Sequence, residues 1–175
     1  VMKIFLIGFM GCGKTTLGKK LAKKQGFELV DLDHAIEHAT GTTVANYFAT
    51  HGEEAFRKLE SETLKNHPYA ENCVIATGGG TPCFFDNMEW MNANGTTVYI
   101  ELSPVSLAKR LEKGMAKRPL LQNLTAEGVV DFIRNKLTER GPFYKQAKVT
   151  LNGMSLTADG IRDAVNNLNQ ADLRL

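Results

Sequence analysis

Gly8-Phe9-Met10-Gly11-Cys12-Gly13-Lys14-Thr15-Thr16 is the stretch from which the rest of this chain can be read. It has the Walker A spacing, follows the apolar run Lys3–Ile7 and opens a segment of helical periodicity, the context the motif requires. Glycines let backbone N–H groups turn inward and approach a β-phosphate where side chains would block them. The helix that starts here adds unpaired amides and partial positive charge. Lys14 is therefore expected to reach the β- and γ-phosphates of a nucleotide, and the Thr15 hydroxyl to ligate Mg²⁺. Gly11, Cys12, Gly13 and Thr16 complete the candidate nucleotide-binding set. Cys12 has two readings, a thiol activated by Lys14 and the helix N-terminus, or a small residue filling a permissive position. The second is favoured.

Outward from this loop, short apolar runs alternate with helical patterns. Phe27–Asp31, Cys73–Ala76, Thr96–Leu102 and Lys148–Leu151 read as four further strands, several apolar on both faces. Helices are expected from Lys14 to Gln25 with Gly26 as the stop, and from a cap at Asp86 to Gly95. Others should start at Ser103-Pro104, Thr125 and Thr157. The βαβα order is that of a parallel sheet with helices on both faces. Lys113 to Asn123, rich in charge and carrying Gly114 and Pro119, reads as a loop or lid.

Composition narrows the class without naming the chemistry. At 175 residues with 43% apolar content, the chain is the size of one domain with a real core. A net charge of +2 is too even for a nucleic-acid binder. Cys12, Cys73 and Cys83 fit no metal-ligand spacing and suggest a reducing compartment. No apolar run approaches the roughly 20 residues of a membrane span, and no cleavable leader is evident.

A second substrate must be sought among the remaining polar clusters. Asp31 and Asp33 follow a strand expected near the loop, where carboxylates hold a metal-bound water or accept a proton from an attacking hydroxyl. Asp33 also reads as a helix N-cap ahead of Ala35 and Ile36. Arg57 and Glu60, three apart on a helix, would fix a guanidinium for bidentate anion capture, or form a solvated surface pair. Gly78-Gly79-Gly80 at the carboxyl end of a buried strand implies close backbone approach to a ligand. Arg118-Pro119 lies in the expected lid. Arg140-Gly-Pro-Phe-Tyr144 is expected to stop a helix abruptly, leaving Arg140 near its C-terminus. Two arginines suggest an acidic acceptor; Asp33 and Gly79 suggest one that also carries hydroxyls.

Across almost its whole length the chain resembles the shikimate kinases. The resemblance rests on Gly8–Thr16, Asp31-Leu-Asp33, Gly52-Glu-x-x-Phe56-Arg57-x-x-Glu60, Gly78–Gly80, Arg118-Pro-Leu-Leu121 and Arg140-x-x-x-Tyr144. It implies a three-layer α/β/α P-loop kinase fold with a five-stranded parallel sheet ordered 2-3-1-4-5. One domain over 1–175 is implied, with an acceptor-binding region near 32–61 and a lid near 112–124. The implied reaction is phosphorylation of the shikimate 3-hydroxyl by ATP with Mg²⁺ in a cytoplasmic monomer that binds neither nucleic acid nor membrane. Carried over residue by residue, Lys14 contacts phosphates, Thr15 and Asp31 serve the metal, and Asp33 orients or deprotonates the hydroxyl. Arg57 and Arg140 clamp the carboxylate, Glu60 positions Arg57, and Gly78, Gly79 and Gly80 supply backbone contacts. Arg118 neutralises the transferring group and Arg110 packs on adenine. Position 12 departs from the family in being Cys, and Asn152–Ser155 is not a distinctive adenine loop. A gluconate or nucleoside monophosphate kinase of the same fold, or a nucleotide-binding module without turnover, are the rivals.

Overall fold

The apolar run ahead of the glycine-rich loop forms β1 (Met2–Ile7) at the centre of the sheet in the computed structural model, which describes residues 1–113 and 124–174. The other strands are β2 (Glu28–Asp31), β3 (Asn72–Ala76), β4 (Thr96–Glu101) and β5 (Val149–Asn152), in the spatial order β2-β3-β1-β4-β5. Every pairing is parallel. Register fixes what lies beside what: Leu6 and Asp31 both pair with Ala76. The chain thus leaves β1, β2 and β3 at one level of one sheet edge, where ligands of open α/β sheets bind.

Alternation within β1 explains the layers, because neighbouring side chains point to opposite faces. Phe5 and Ile7 join Leu32, Ile36, Phe56, Leu64, Met88, Met91 and Tyr144 in one core. These come from α2 (Leu32–Thr40), α3 (Val44–Asn66), α4 (Asn87–Asn94) and the end of α6 (Ala126–Tyr144). Ile4 and Leu6 face Leu21, Ala22, Ile161 and Val165 of α1 (Lys14–Gln25) and α7 (Ala158–Asp172). A third cluster packs Phe9 and Cys12 against Leu107 and Leu111 of α5 (Pro104–Glu112) and Val129 and Ile133 of α6. The expected three-layer arrangement and strand order are both present.

Helix starts follow the side-chain caps, with two corrections. Ser103, Thr125 and Thr157 cap as expected, and Gly26 ends α1 in a left-handed conformation. Asp31, not Asp33, caps α2 by accepting from the His34 amide at 3.3 Å, which leaves Asp33 in the first turn with its carboxyl free of that duty. Asp86 stands at the start of α4 without a side-chain cap; its carboxylate is taken by Lys65 instead. The segment 140–144 ends α6 as expected, the last helical residue being Tyr144 and Arg140 lying near the C-terminus. Pro142 falls in the last turn, where its missing N–H removes one bond and the Lys145 amide still reaches the Gly141 carbonyl at 2.9 Å. The expected lid over 113–123 falls almost wholly outside the described residues, as does Arg118.

Inside α3 the backbone at Gly52 has φ 85° and ψ 172°, a conformation essentially reserved for glycine. The kink restarts the helix one residue before Glu53, so that Phe56, Arg57 and Glu60 turn toward the sheet edge. Phe56 and Glu60 are buried and the Arg57 side chain is 12% exposed.

Candidate active site

At the carboxyl edge of the sheet lies a cleft of about 640 Å³. One side is the glycine-rich loop, with Gly11, Gly13, Lys14, Thr15 and Thr16 on its wall; Asp31, Asp33, Gly78 and Gly79 face them. Gly13 is the N-cap of α1 with φ 105°, so no side chain stands over the helix's free amides. Lys14 is buried, and its ammonium donates to the carbonyls of Gly8 (2.6 Å) and Phe9 (3.1 Å). Burial pushes its pKa below the usual lysine range. A desolvated cation beside helix amides is a strong attractor for phosphate oxygens. Cys12 is also buried, its Sγ 3.8 Å from the Lys14 ammonium, and it packs with Phe9 and Ile100 beneath the loop.

Thr15 and Asp31 meet at the loop's far end, the hydroxyl 3.4 Å from Asp31 Oδ2. One hydroxyl and one carboxylate make a sparse set, and no group of three or more His, Cys, Asp or Glu suited to a metal exists among the described residues. That sparseness fits Mg²⁺, which is held by one or two protein oxygens together with substrate phosphates and waters.

Asp33 is a carboxyl group strongly altered by its surroundings. Its pKa is pushed up to about 6, first by burial and then by the charges of Asp31 and Glu60, with Lys14 opposing. A carboxylate tuned toward neutral pH and lining a cleft is a candidate proton acceptor.

The triple glycine is explained by what surrounds it. A Cβ at Gly78 would lie 3.4 Å from Asp33 Oδ1 and 3.3 Å from Glu60 Oε2. At Gly79 it would be 3.1 Å from Arg140 Nη1, and at Gly80 only 2.6 Å from Arg57 Nη2. Each glycine therefore makes room for a different charged side chain, and both guanidinium groups converge on this one turn. Arg57 Nη1 donates to Glu60 Oε1 at 2.9 Å, and Glu60 is 1% exposed, so the pair is a buried one rather than a solvated helix pair. Arg140 lies over the Phe9 ring at 5.6 Å. One turn later Tyr144, fully buried, donates its phenolic O–H to the Gly79 carbonyl at 2.5 Å. The continuation of α6 past Pro142 makes this possible. It ties Arg140 and the glycine turn into one unit.

Two participants escaped the sequence reading. Thr81 accepts from the Gly78 amide at 3.0 Å and donates to Glu60 Oε2 at 2.8 Å, linking the turn to the arginine pair. Phe84 places its ring 4.3 Å from the Arg57 guanidinium carbon. Both follow the glycine run within a few residues, but neither belongs to a motif that marks it. At the other end of the cleft Arg110 donates to the carbonyls of Cys12 (3.2 Å) and Gly153 (3.3 Å). It thereby bridges the loop to the segment after β5, where Gly153, Ser155 and Leu156 complete the wall. Arg57, Glu60, Gly80 and Arg140 stand behind the Asp33 end of the cleft wall rather than forming it.

Fold and loop together define a P-loop kinase. The shikimate kinase family profile matches residues 10–168. The shikimate kinase of Parabacteroides distasonis is 47% identical over 167 residues, covering 95% of this chain and 96% of that protein. The crystal structure of the Bacteroides thetaiotaomicron shikimate kinase superposes with a TM-score of 0.86 at 43% identity, over 99% of both chains. That of the Acinetobacter baumannii shikimate kinase in complex with shikimate gives 0.77 at 34% identity, over 99% of this chain and 94% of that one. The chain belongs to the shikimate kinase family. It is an ATP-dependent phosphotransferase acting on an alcohol group.

Proposed function

We propose that the chain transfers the γ-phosphoryl group of ATP to the 3-hydroxyl of shikimate, the site residues dividing the work as follows. The loop amides and Lys14 bind the phosphates, Lys14 exchanging the Gly8 and Phe9 carbonyls for phosphate oxygens. Thr15 and Asp31 hold Mg²⁺, which when bound neutralises charge on the phosphate oxygens. Arg57 and Arg140 clamp the shikimate carboxylate over the Gly78–Gly80 turn, with Glu60 fixing Arg57. Asp33 orients the 3-hydroxyl and takes its proton as the new O–P bond forms and the bond from Pγ to the ADP oxygen breaks. A raised carboxyl pKa suits that task at neutral pH. Arg110, which bridges the loop to Gly153, is assigned to packing on adenine, and Arg118 to the closing lid.

The observation that carries the reading is the convergence of two guanidinium groups on one glycine turn, on the Asp33 side of the phosphate loop. Positioning of a planar carboxylate by two fixed arginines suits a reaction whose loose transition state leaves the protein mainly positioning and electrostatics to supply. The whole chain acts as one kinase domain with residues 32–61 as the acceptor region, a cytoplasmic monomer that takes small molecules only. The net charge of +2 and three free cysteines support that last reading, and no helix among the described residues is long and apolar enough to cross a membrane. Calorimetric titration tests the clamp. Arg57→Ala and Arg140→Ala each weaken shikimate binding by about 10- to 100-fold, the value of a charge-assisted bond lost, with nucleotide affinity held within about twofold. Unchanged shikimate affinity in either variant refutes the assignment.

A further inference from the structure

The guanidinium of Arg57 is held more completely than its ion pair alone explains. Nη1 is taken by Glu60, and Nη2 presses on Gly80 so closely that a Cβ there would lie 2.6 Å away. Nε is buried with no hydrogen-bond partner among the described residues; its nearest carboxylate, Glu53, is 3.8 Å away. What covers the flat face is the Phe84 ring, 4.3 Å from the guanidinium carbon, with Phe56 more distant at 5.2 Å.

The backbone around Phe84 is shaped for that contact. Phe84 itself is extended (φ −121°, ψ 144°), and it follows the single 3₁₀ turn Thr81–Cys83. The next residue, Phe85, has φ 50°, a left-handed conformation rarely adopted by a bulky side chain, and the residue is 64% exposed. Two adjacent phenylalanines are thus sent opposite ways at a local backbone cost, one to solvent and one onto Arg57. Strain that persists at a site edge is over-determined by what it positions.

We propose that Phe84 is a positioning residue for acceptor binding: its ring fixes the plane of the Arg57 guanidinium, so that the donors not spent on Glu60 meet a planar carboxylate without reorientation. The proposal rests on Arg57 being part of the carboxylate clamp. A ring face attracts the cation and also denies that face to water, which would otherwise compete for the same donors. The effect is confined to acceptor binding, because the carboxylate end of the acceptor is remote from the transferring phosphoryl group. It therefore moves KM for shikimate and leaves kcat in place.

Steady-state kinetics with both substrates varied, on the full chain, tests this. Phe84→Leu raises the shikimate KM about 3- to 30-fold, the range expected for a desolvated cation–π contact, while kcat and the ATP KM stay within about twofold. Phe84→Tyr, which keeps the ring face, restores the wild-type shikimate KM. Should Phe84→Leu fail to fold, Phe84→Met carries the same expectation with comparable volume. In an Arg57→Ala background, Phe84→Leu adds nothing further. An unchanged shikimate KM in Phe84→Leu, an equal rise in the ATP KM, or a full additive effect without Arg57 overturns the proposal. If Arg57→Ala alone leaves the shikimate KM unchanged, the clamp reading fails and this one with it. If Arg57→Ala raises it and Phe84→Leu does not, only the role of Phe84 is lost.

Discussion

Replacing Asp33 by Asn should make the ligand-free protein more stable while it destroys turnover, and the gain should depend on pH in a calculable way. Asp33 has its pKa raised from 3.8 to about 6, chiefly by burial. Each pKa unit corresponds to about 1.4 kcal/mol, so holding this carboxylate ionised in the folded state costs up to about 3 kcal/mol. The sign follows from proton counting. Between about pH 4 and pH 6 the native state binds more protons at this site than the unfolded chain, so stability falls as pH rises through that window. Above pH 6 the whole cost is present; below pH 4 the carboxyl is neutral in both states and the cost is gone. Asn is nearly isosteric with the neutral acid and carries no such cost. Thermal unfolding without ligand should therefore show Asp33→Asn melting higher than wild type by up to about 6–12 °C at pH 8, for a chain of this length. The difference should shrink toward zero at pH 4. Wild-type kcat/KM for shikimate should fall on an acid limb near pH 6, and the variant should lose turnover while keeping ATP affinity. A melting difference that does not change with pH, or a variant less stable at pH 8, would refute the electrostatic account of Asp33.

Two further predictions concern the scaffold that holds the clamp. Thr81→Val leaves Glu60 Oε2 and the Gly78 amide without their hydroxyl partner, and should lower stability by about 2–4 kcal/mol in urea unfolding. Thr81→Ser should recover most of that loss, and equal losses in both variants would contradict the hydrogen-bond reading. Gly52→Ala meets no atom within 4 Å, so its cost is that of the backbone conformation alone, about 1–3 kcal/mol. A neutral result there would mean that α3 does not kink as described.

The glycine-rich loop, the strands and most of the caps were legible because each rests on local chemistry: a run of apolar residues, a glycine at a turn, a Ser or Thr ahead of a helix. The capping carboxylate was placed two residues late, since Asp31 and Asp33 are equivalent as text and only the exit of β2 decides which one meets the His34 amide. The end of α6 within 140–144 was legible, but not what holds its last turn: the Tyr144–Gly79 bond and the burial of Tyr144 against Tyr99, whose rings are 5.0 Å apart. The candidate site was legible as a set of motifs, but not as a geometry. That Gly78, Gly79 and Gly80 each clear space for a different partner depends on three chain segments meeting at one sheet edge. Thr81 and Phe84 had no motif to announce them; they act through Glu60 and Arg57, contacts that exist only once the chain is folded.

The measurement that bears most directly on the whole account is ADP release from Mg²⁺-ATP by the purified protein, offered shikimate, gluconate, AMP or no acceptor. Acceleration by shikimate alone, with one phosphate transferred per ADP formed and placed on the 3-hydroxyl, is the predicted result. Acceleration by gluconate or AMP, or release that no acceptor changes, would contradict it.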